Sequence, residues 1–195
     1  MKKNGQTIKT RCAWCGTDPL YIEYHDMEWG VPVYNDEKLF EFLILETFQA
    51  GLSWITILRK RENFRKAFDA FDYKKIAKYR EGKYEELMLN KGIIRNKLKI
   101  KATISNAIAF MKIQKEFGSF SKYIWAFTNG NPVKNTCKNL NEVPVTDTVS
   151  ELISEDLKKR GFKFVGSTIC YAFMQAAGMV NDHITNCFRY TELTK

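Results

Sequence analysis

The sequence predicts an all-α protein, and three observations support this fold class. Apolar residues recur at helical spacing in several segments, capping residues and glycines bound those segments, and alternating strand patterns are scarce. The 195 residues, 45% of them hydrophobic, are enough to bury a sizeable core. We expect a single unit over residues 1–195 made of two helical lobes, with a flexible N-terminal tail over about residues 1–10.

The first helix to stand out is apolar almost all round, which predicts a central and buried position. Asn35 and Asp36 can cap its start, and it runs to about Ala50. Gly51 ends this helix, and Ser53 can cap the next one. The apolar body consists of Leu39, Phe40, Phe42, Leu43, Ile44 and Leu45.

Three more helices are expected in the second half of the chain. Apolar spacing predicts a long core helix from about Ile94 to Phe117. Thr148-Val-Ser-Glu151 has the form of a capping box, so a helix is expected to begin there and to end before Gly161. A further helix is expected from Ser167 to Gly178. Residues 129–147 are rich in Asn, Pro and Thr and predict a long loop or a lobe boundary.

Composition limits the possible classes of function. A net charge of +9 and a pI near 9.2 favour a polyanionic partner, because lysines and arginines gain affinity by displacing counterions from phosphates. A basic protein without such a partner is the alternative. No apolar run approaches the ~20 residues that span a bilayer, and no secretory signal pattern is present. We expect a cytoplasmic monomer without membrane contact.

The cysteines and histidines suggest a metal site. Five cysteines are too few and too scattered for a disulfide framework, so reduced thiols or metal ligands are expected. The two histidines, His25 and His183, each lie near a cysteine, Cys12 and Cys187. These four residues would form a Cys2His2 site that joins the N-terminal and C-terminal segments. Four protein ligands leave no open position, so zinc there would be structural.

Two alternatives to this metal site stay open at the level of sequence. If residues 181–187 are helical, His183 and Cys187 lie one turn apart on the same face, as a shared ion requires. Yet the spacing of the two pairs does not match a compact zinc finger, and the pairs can be unrelated. Cys15 forms a C-x2-C motif with Cys12, which could supply two ligands, act as a redox pair or have no role.

A candidate hairpin for phosphate binding lies between residues 84 and 98. A short amphipathic stretch is followed by the break Asn90-Lys91-Gly92-Ile93-Ile94, and Arg95 opens the long helix. Such a turn points backbone N–H groups and the positive end of the second helix at a phosphate, and Gly92 permits a close approach. Any turn between two helices can carry a glycine, which is the alternative explanation.

A carboxylate within an aromatic segment marks a candidate pocket. Glu46 follows Leu43-Ile44-Leu45 inside the buried helix, where a carboxylate is costly unless it is paired or functional. Each nearby ring alone would be an ordinary core residue. The rings are Trp14, Tyr21, Tyr24, Trp29 and Trp54.

The motifs around these residues resemble the constitutive bacterial 3-methyladenine-DNA glycosylase family, often called type I, over about Cys12 to Cys187. The motifs are Asp18-Pro19-Leu20-Tyr21, Tyr24-His25-Asp26, Glu28-Trp29-Gly30, Leu45-Glu46, Gln49-Ala50-Gly51-Leu52-Ser53-Trp54, Lys60-Arg61-Glu62-Asn63, Gly92-Ile93-Ile94-Arg95 and Lys159-Arg160-Gly161-Phe162-Lys163-Phe164-Val165-Gly166. The resemblance implies a helix-hairpin-helix glycosylase fold and a structural zinc bound by Cys12, His25, His183 and Cys187.

The resemblance also implies roles for the pocket and for DNA contacts. Glu46, the expected catalytic residue, and Tyr24 would hydrogen-bond the excised base, while Trp54 and the rings of Trp14, Tyr21 and Trp29 would enclose it. Gly51 and Leu52 would approach the gap left in the duplex. The other residues expected to contact DNA are Gly92, Ile93, Ile94, Arg95 and Lys163.

These roles predict hydrolytic excision of 3-methyladenine from alkylated double-stranded DNA. The methylated base is cationic, and a Glu46 anion would favour the cation over a neutral adenine. No Asp or Glu occurs from Asn96 to Lys115, where the wider superfamily carries a catalytic Asp, and no lysine stands out as a nucleophile. We therefore expect an abasic site without strand cleavage. A non-catalytic DNA-binding module and an enzyme for another alkylated base are the competing hypotheses.

Overall fold

The computed structural model describes residues 9–194, and the structure within this range is mostly helical. The predicted N-terminal tail falls largely on residues 1–8, outside the described residues. None of the helices in the described range is long and apolar enough to cross a membrane. The helices are α1 Pro19–Met27, α2 Asp36–Gln49, α3 Trp54–Ala67, α4 Tyr73–Ile76, α5 Glu81–Leu89, α6 Lys97–Phe117, α7 Phe120–Trp125, α8 Thr148–Lys159, α9 Ser167–Ala176 and α10 Phe188–Thr194.

Helix α2 occupies the centre of the main hydrophobic core, as its apolar sequence predicts. It packs against α3, α6, α7 and α9, and ten consecutive residues from Leu39 to Phe48 are buried. Asn35 caps its first turn by accepting a hydrogen bond from the Lys38 amide at 2.8 Å. A second, smaller apolar cluster lies at α1 and the C-terminal segment and includes Tyr24 and Trp29. Burial therefore extends to the polar residues Glu41, Glu46 and Thr47 within this stretch of α2.

The helix boundaries correct three expectations from the sequence. Helix α6 begins at Lys97, because the Asn96 side chain accepts from the amides of Leu98 and Lys99. Asp147 is the N-cap of α8 and exchanges hydrogen bonds with Ser150, so the predicted capping box is shifted by one residue. Ser53 holds the N-cap position of α3, but its side chain caps no backbone amide. The Ser53 hydroxyl instead bonds the Thr56 hydroxyl at 2.8 Å.

A short parallel strand pair interrupts the helical pattern. Val133–Lys134 (β1) pairs with Val180–Asn181 (β2), which ties the predicted loop region to the end of the chain. Two-residue strands leave no periodic signal in a sequence. Residues 181–187 are not helical, because β2 is followed by a turn in which the Cys187 amide donates to the Ile184 carbonyl at 2.8 Å. The turn still brings His183 and Cys187 together.

A close backbone approach fixes the connection from α1 to α2 against the end of α9. Gly178 has φ +69°, and a Cβ atom there would lie 2.3 Å from the Val31 carbonyl carbon. The amides of Gly30 and Val33 donate to the carbonyls of Gln175 and Ala177, both at 3.0 Å. Only glycine fits this position, because both the space and the left-handed conformation exclude a side chain.

We expect Gly178→Ala to destabilise the protein by roughly 3 kcal/mol or more, because overpacking and left-handed strain add. Gly82→Ala is the matched control, since Gly82 lies in α5 with no atom within 4 Å of an added Cβ. It should be neutral or slightly stabilising, as alanine favours helices. Chemical denaturation of both variants measures the difference. Equal stability of the two variants would contradict the close approach.

Candidate active site and metal centre

A cavity of about 410 Å³ lies between α1, α2, α3 and α9, with residues 140–145 at one side. Its volume is within the range of small-molecule sites, about 300–1,000 Å³. It brings together all six residues that the sequence predicts to bind the substrate. These are Trp14, Tyr21, Tyr24, Trp29, Glu46 and Trp54.

Glu46 lines the cavity from α2 and is 4% exposed. Within residues 9–194 its carboxyl group has no hydrogen-bond or ion-pair partner within reach. Burial raises the pKa of Glu46 to about 8, because desolvation disfavours the charged form and no cation offsets it. This raised pKa favours the neutral acid at pH 7, whereas the anion that the sequence analysis expects concerns Glu46 beside a cationic base and stays a prediction.

The aromatic rings form two packed groups around the carboxyl group. Trp14 contacts Tyr21 with a centroid distance of 5.0 Å and Trp29 with one of 4.9 Å. Tyr24 packs against Trp54 at 5.5 Å. The Trp54 Nε1–H group is buried without an acceptor in the described part of the chain. This group and the Glu46 carboxyl are polar groups available to a ligand, since buried polar groups are ordinarily satisfied.

The wall contributed by the C-terminal half contains polar residues that the sequence analysis missed. Asp182 is 1% exposed and accepts hydrogen bonds from Asn135 at 2.7 Å and from Tyr171 and Gln175 at 2.8 Å. Tyr171 and Gln175 also line the cavity, as does Gln49. Asp182 precedes the predicted ligand His183, which is the one sequence signal that could have singled it out. The apolar side of the mouth consists of Leu140, Val143, Pro144 and Val145.

Cys12, His25, His183 and Cys187 form a buried cluster whose ligand atoms all lie within 4.8 Å of one another. Sγ of Cys187 is 3.5 Å from Nε2 of His25 and 3.6 Å from Nδ1 of His183, and Sγ of Cys12 is 3.5 Å from the same Nδ1. Bond lengths of about 2.3 Å for Zn–S and 2.0–2.1 Å for Zn–N give S···N edges of roughly 3.6 Å in a tetrahedron. The cluster could therefore hold a tetrahedral metal ion.

The outer hydrogen bonds orient both histidines for this role. Nδ1 of His25 lies 2.8 Å from Asp26, whose carboxylate accepts a two-pronged contact from Arg11. Nε2 of His183 lies 3.1 Å from the Trp29 carbonyl oxygen. A carbonyl and a carboxylate only accept, so the opposite nitrogen of each ring carries the lone pair and faces the cluster. This arrangement is typical of metal-binding histidines.

The Cys12 and Cys187 thiols influence each other's protonation. The hydrogen bond between them lowers the pKa of Cys187 and raises the pKa of Cys12, so a thiolate is favoured at Cys187. Cys15 does not join the cluster, because its Sγ donates to the Cys12 carbonyl at 3.1 Å. Of the roles open to Cys15 from the C-x2-C motif, the geometry fits a local structural contact.

The cluster and the cavity share a wall. Trp14 packs on the His25 ring at 5.3 Å, and Trp29 packs on the His183 ring at 4.6 Å. Both tryptophans also line the cavity. The position of these rings therefore depends on the same four side chains that join the two ends of the chain.

The predicted hairpin is held against α3. Lys60 and Asn63 donate to the Gly92 carbonyl at 3.2 and 3.4 Å, and a Cβ at Gly92 would lie 3.2 Å from Asn63. The Gly92 amide donates to the Asn90 side chain at 2.8 Å, so this amide does not face outward. Gly92 therefore serves packing. The amides of Ile94 and Arg95 have no acceptor within residues 9–194, whereas the Ile93 side chain is buried.

The turn after α2 is exposed at the edge of the cavity. Gly51 has φ +84°, and Leu52 is 37% exposed. Gln49, which lines the cavity, donates its side-chain amide to the Leu52 carbonyl at 2.7 Å. On another segment, Lys163 is exposed, and its backbone amide and carbonyl both bind the buried Asn106 side chain. Hydrogen bonds from Gln49 and Asn106 thus hold the backbone of the turn and of Lys163 in place.

Comparison with known proteins places this architecture. The family model for methyladenine glycosylase matches residues 14–190. The chain belongs to the methyladenine glycosylase family. It is 50% identical to DNA-3-methyladenine glycosylase 1 of Escherichia coli (strain K12) over 180 residues, which cover 92% of this chain and 96% of the relative.

Solved structures of this family share the fold. A crystal structure of 3-methyladenine DNA glycosylase I is 52% identical with a TM-score of 0.90 and covers 92% of this chain and 98% of its own. A structure describing 3-methyladenine recognition by the enzyme of Staphylococcus aureus is 36% identical with a TM-score of 0.89, covering 91% and 95% of the two chains. The family resemblance that the motifs predict is therefore confirmed.

The buried Glu46 of this glycosylase predicts a pH-dependent stability. Its folded pKa, about 8, lies above the ordinary value of 4.5, so stability from the neutral acid is present below pH 4.5 and lost as pH rises through 8. The side chain of Glu46→Gln cannot ionise, so its stability should not fall over this pH range for the same reason. The free energy of unfolding of the variant minus that of the parent should therefore be about 2–4 kcal/mol more favourable at pH 8.5 than at pH 5. Denaturant unfolding at both pH values measures this difference.

A control separates this effect from a change in net charge. Glu37→Gln removes a carboxylate from the exposed face of the same helix. If Glu46→Gln shows the same pH dependence as Glu37→Gln, the burial of Glu46 is not the cause.

Proposed function

We propose that this protein is a DNA repair glycosylase that flips 3-methyladenine out of alkylated double-stranded DNA and excises it hydrolytically. The observation that carries the proposal is the unpaired Glu46 carboxyl inside an aromatic cavity of base-binding size. Relatives with about half of their residues identical are named DNA-3-methyladenine glycosylase, which supports the substrate.

The aromatic walls support base flipping. A stacked base is out of reach, and flipping costs a few kcal/mol. Stacking of a base on an aromatic ring returns ~1–3 kcal/mol, which offsets that cost. Trp54 and Tyr24, whose ring centroids lie 5.5 Å apart, line the same cavity as the Glu46 carboxyl, and Trp14, Tyr21 and Trp29 also line it. The buried Nε1–H of Trp54 is a further donor for the flipped base.

Glu46 acts in this proposal as a neutral acid. A carboxylic acid donates through its O–H and accepts through its C=O, which matches an amino group next to a ring nitrogen on an adenine edge. An anion would bind the cationic substrate more tightly than the departing base, whose charge disappears as the bond breaks, and would raise the barrier. A donated hydrogen bond instead strengthens as electron density moves onto the base.

The chemistry then needs little further assistance. The C1′–N9 bond of the cationic nucleotide breaks with both electrons going to the base, which leaves as neutral 3-methyladenine. A water oxygen bonds to C1′ and releases its proton to solvent, giving an abasic site. The cavity lining contains no lysine, so an amine nucleophile and strand cleavage are not expected. Unmodified adenine lacks the positive charge and is retained.

In this proposal, three exposed segments near the cavity contact DNA: the turn after α2, the hairpin between α5 and α6, and the loop that contains Lys163. Leu52, carried by the Gly51 turn, would fill the gap left by the flipped nucleotide. The segment from α5 to α6 would act as a helix-hairpin-helix, with the free amides of Ile94 and Arg95 donating hydrogen bonds to a phosphate. Lys163 would contact a second phosphate. The predicted roles of Gly92 and Ile93 would be indirect, through the shape of the hairpin.

We also propose that zinc occupies the Cys2His2 cluster. Cys12, His25, His183 and Cys187 would hold it, and the ion would supply structural cross-linking between the two chain ends, with no open position for catalysis. The single unit with two lobes, the monomeric state and the cytoplasmic location stay predictions from the sequence.

The activity is tested by chromatography of bases released from methylated DNA. We expect 3-methyladenine as the main product, and Glu46→Ala should lower its release at least about 100-fold, in the range for a lost acid or hydrogen-bond donor. Glu37→Ala, on the exposed face of α2, serves as the matched control and should retain parental activity. Affinity for undamaged duplex should change less than about 2-fold in both variants.

The competing hypotheses give different results in this experiment. A non-catalytic DNA-binding module would bind duplex and release no base above the spontaneous rate. An enzyme for another alkylated base would release that base in preference. Either result would contradict the proposal as stated.

Elemental analysis tests the metal. We expect about one zinc per chain, and Cys187→Ser should lose the metal and lower the thermal stability, because the site closes the chain ends together. Cys137→Ser is the control, since Cys137 lies outside the cluster. It should keep the zinc. A fully folded parent protein without metal would refute the zinc site.

A further inference from the structure

Lys99 departs from the basic residues around it. The neighbouring Lys97 and Lys101 are exposed, whereas Lys99 is 6% exposed. Its ammonium group donates to the carbonyl oxygens of Phe48 at 3.0 Å and Ala50 at 2.9 Å. No carboxylate in the described part of the chain lies within ion-pairing distance of it, and burial lowers its pKa. Lys99 therefore makes no phosphate contact through an exposed side chain.

The two carbonyls belong to the end of α2, where the chain enters the Gly51–Leu52 turn. The last turn of α2 contains no basic residue of its own, and the final carbonyls of a helix carry partial negative charge. Ala50 leaves the helix with ψ 117°, and Gly51 follows with φ +84°. Lys99 thus fixes the backbone at the point from which Leu52 projects.

The other end of the Lys99 side chain is anchored beside the hairpin. Lys99 lies in the first turn of α6, and its backbone amide donates to the Asn96 side chain at 3.1 Å. The free amides of Ile94 and Arg95 lie just before this cap. One side chain therefore connects the segment proposed to bind a phosphate with the turn proposed to fill the gap.

The chemistry of the contact argues against simple packing. A buried ammonium without a counterion costs several kcal/mol, and an apolar side chain of similar length would fill the space without that cost. Two charge-assisted hydrogen bonds to the carbonyls of Phe48 and Ala50 give the ammonium a function that a methionine cannot supply. Gln49 closes the same turn from the cavity side through its bond to the Leu52 carbonyl.

We propose that Lys99 is a positioning residue that couples phosphate binding at the hairpin to the placement of the Gly51–Leu52 turn in the duplex gap. The inference rests on the proposed function. It predicts that Lys99 matters for the reaction in duplex DNA and not for the fit of the free base, because Lys99 binds backbone carbonyls and its own side chain does not line the cavity.

The test compares Lys99→Met with Lys101→Met. Methionine removes the charge and the donors while keeping a long side chain. Lys101 is exposed on the same helix, with its Nζ 4.9 Å from the centroid of the Tyr84 ring, so its variant controls for the loss of one charge near the hairpin. Three quantities are measured: affinity for free 3-methyladenine, single-turnover release from methylated duplex, and fluorescence of a 2-aminopurine next to the lesion.

Lys99→Met should lower duplex excision at least about 10-fold and reduce the 2-aminopurine signal, because small displacements of a positioned group cost up to about 100-fold. Its affinity for the free base should stay within about 2-fold of the parent. Lys101→Met should weaken duplex binding slightly and uniformly. Lys99→Gln, which retains one donor, should be intermediate.

Two results would overturn the proposal. If Lys99→Met and Lys101→Met have equal effects on excision and on 2-aminopurine fluorescence, Lys99 contributes only charge. If free-base affinity falls in parallel with excision in both Lys99 variants, its role is general structural support. Failure of the proposed function is distinct, since the parent protein itself would then release no base.

Discussion

Cys12 and His25 precede the core helices, His183 and Cys187 follow them, and their ligand atoms lie within 4.8 Å of one another. Closing a loop of this length costs chain entropy, so a strong local interaction is needed to maintain the contact. A metal bound by the four residues would supply one. The two histidine rings in turn pack on Trp14 and Trp29, which line the cavity. The shape of the cavity therefore depends on a contact between the two ends of the chain.

The close approach at Gly178 is a second contact that brings the walls of the cavity together. Because Gly178 has no side chain, the backbone at Val31 lies against the end of α9, and α1 is held close to the wall that contains Asp182. The aromatic half of the cavity and its polar half come from segments more than a hundred residues apart, as the hydrogen bond from His183 to the Trp29 carbonyl illustrates. Because neither half forms a cavity alone, stability and base binding are expected to be linked. Burying the unpaired Glu46 carboxyl lowers the stability of the folded protein. A protein optimised for stability alone would not bury such a group.

The sequence predicts those residues of the site that stand out within a short stretch of chain. The all-round apolar pattern identifies α2, and a carboxylate inside that pattern identifies Glu46. The four cluster residues could be proposed because the chain has only two histidines, each near a cysteine. Protonation could not be predicted in the same way, because the pKa of Glu46 depends on cations that are absent from its surroundings in three dimensions. Asp182 and Tyr171 were missed for a related reason, since no spacing in the sequence connects them with Glu46.

The basic residues show why a net charge cannot be converted directly into phosphate contacts. Lys60 and Lys99 donate to backbone carbonyls and so hold the hairpin and the α2 turn in position. Their ammonium groups are then not available to bind phosphates. Arg61 and Arg65 are bound to carboxylates, and Arg160 binds Glu116 and Asp156 while covering two aromatic rings. Arg160 is therefore not a free cation for DNA, although it follows the basic residues Lys158 and Lys159 in the sequence. The salt dependence of DNA affinity counts only the cations that meet phosphates, so the net charge of +9 does not give its slope.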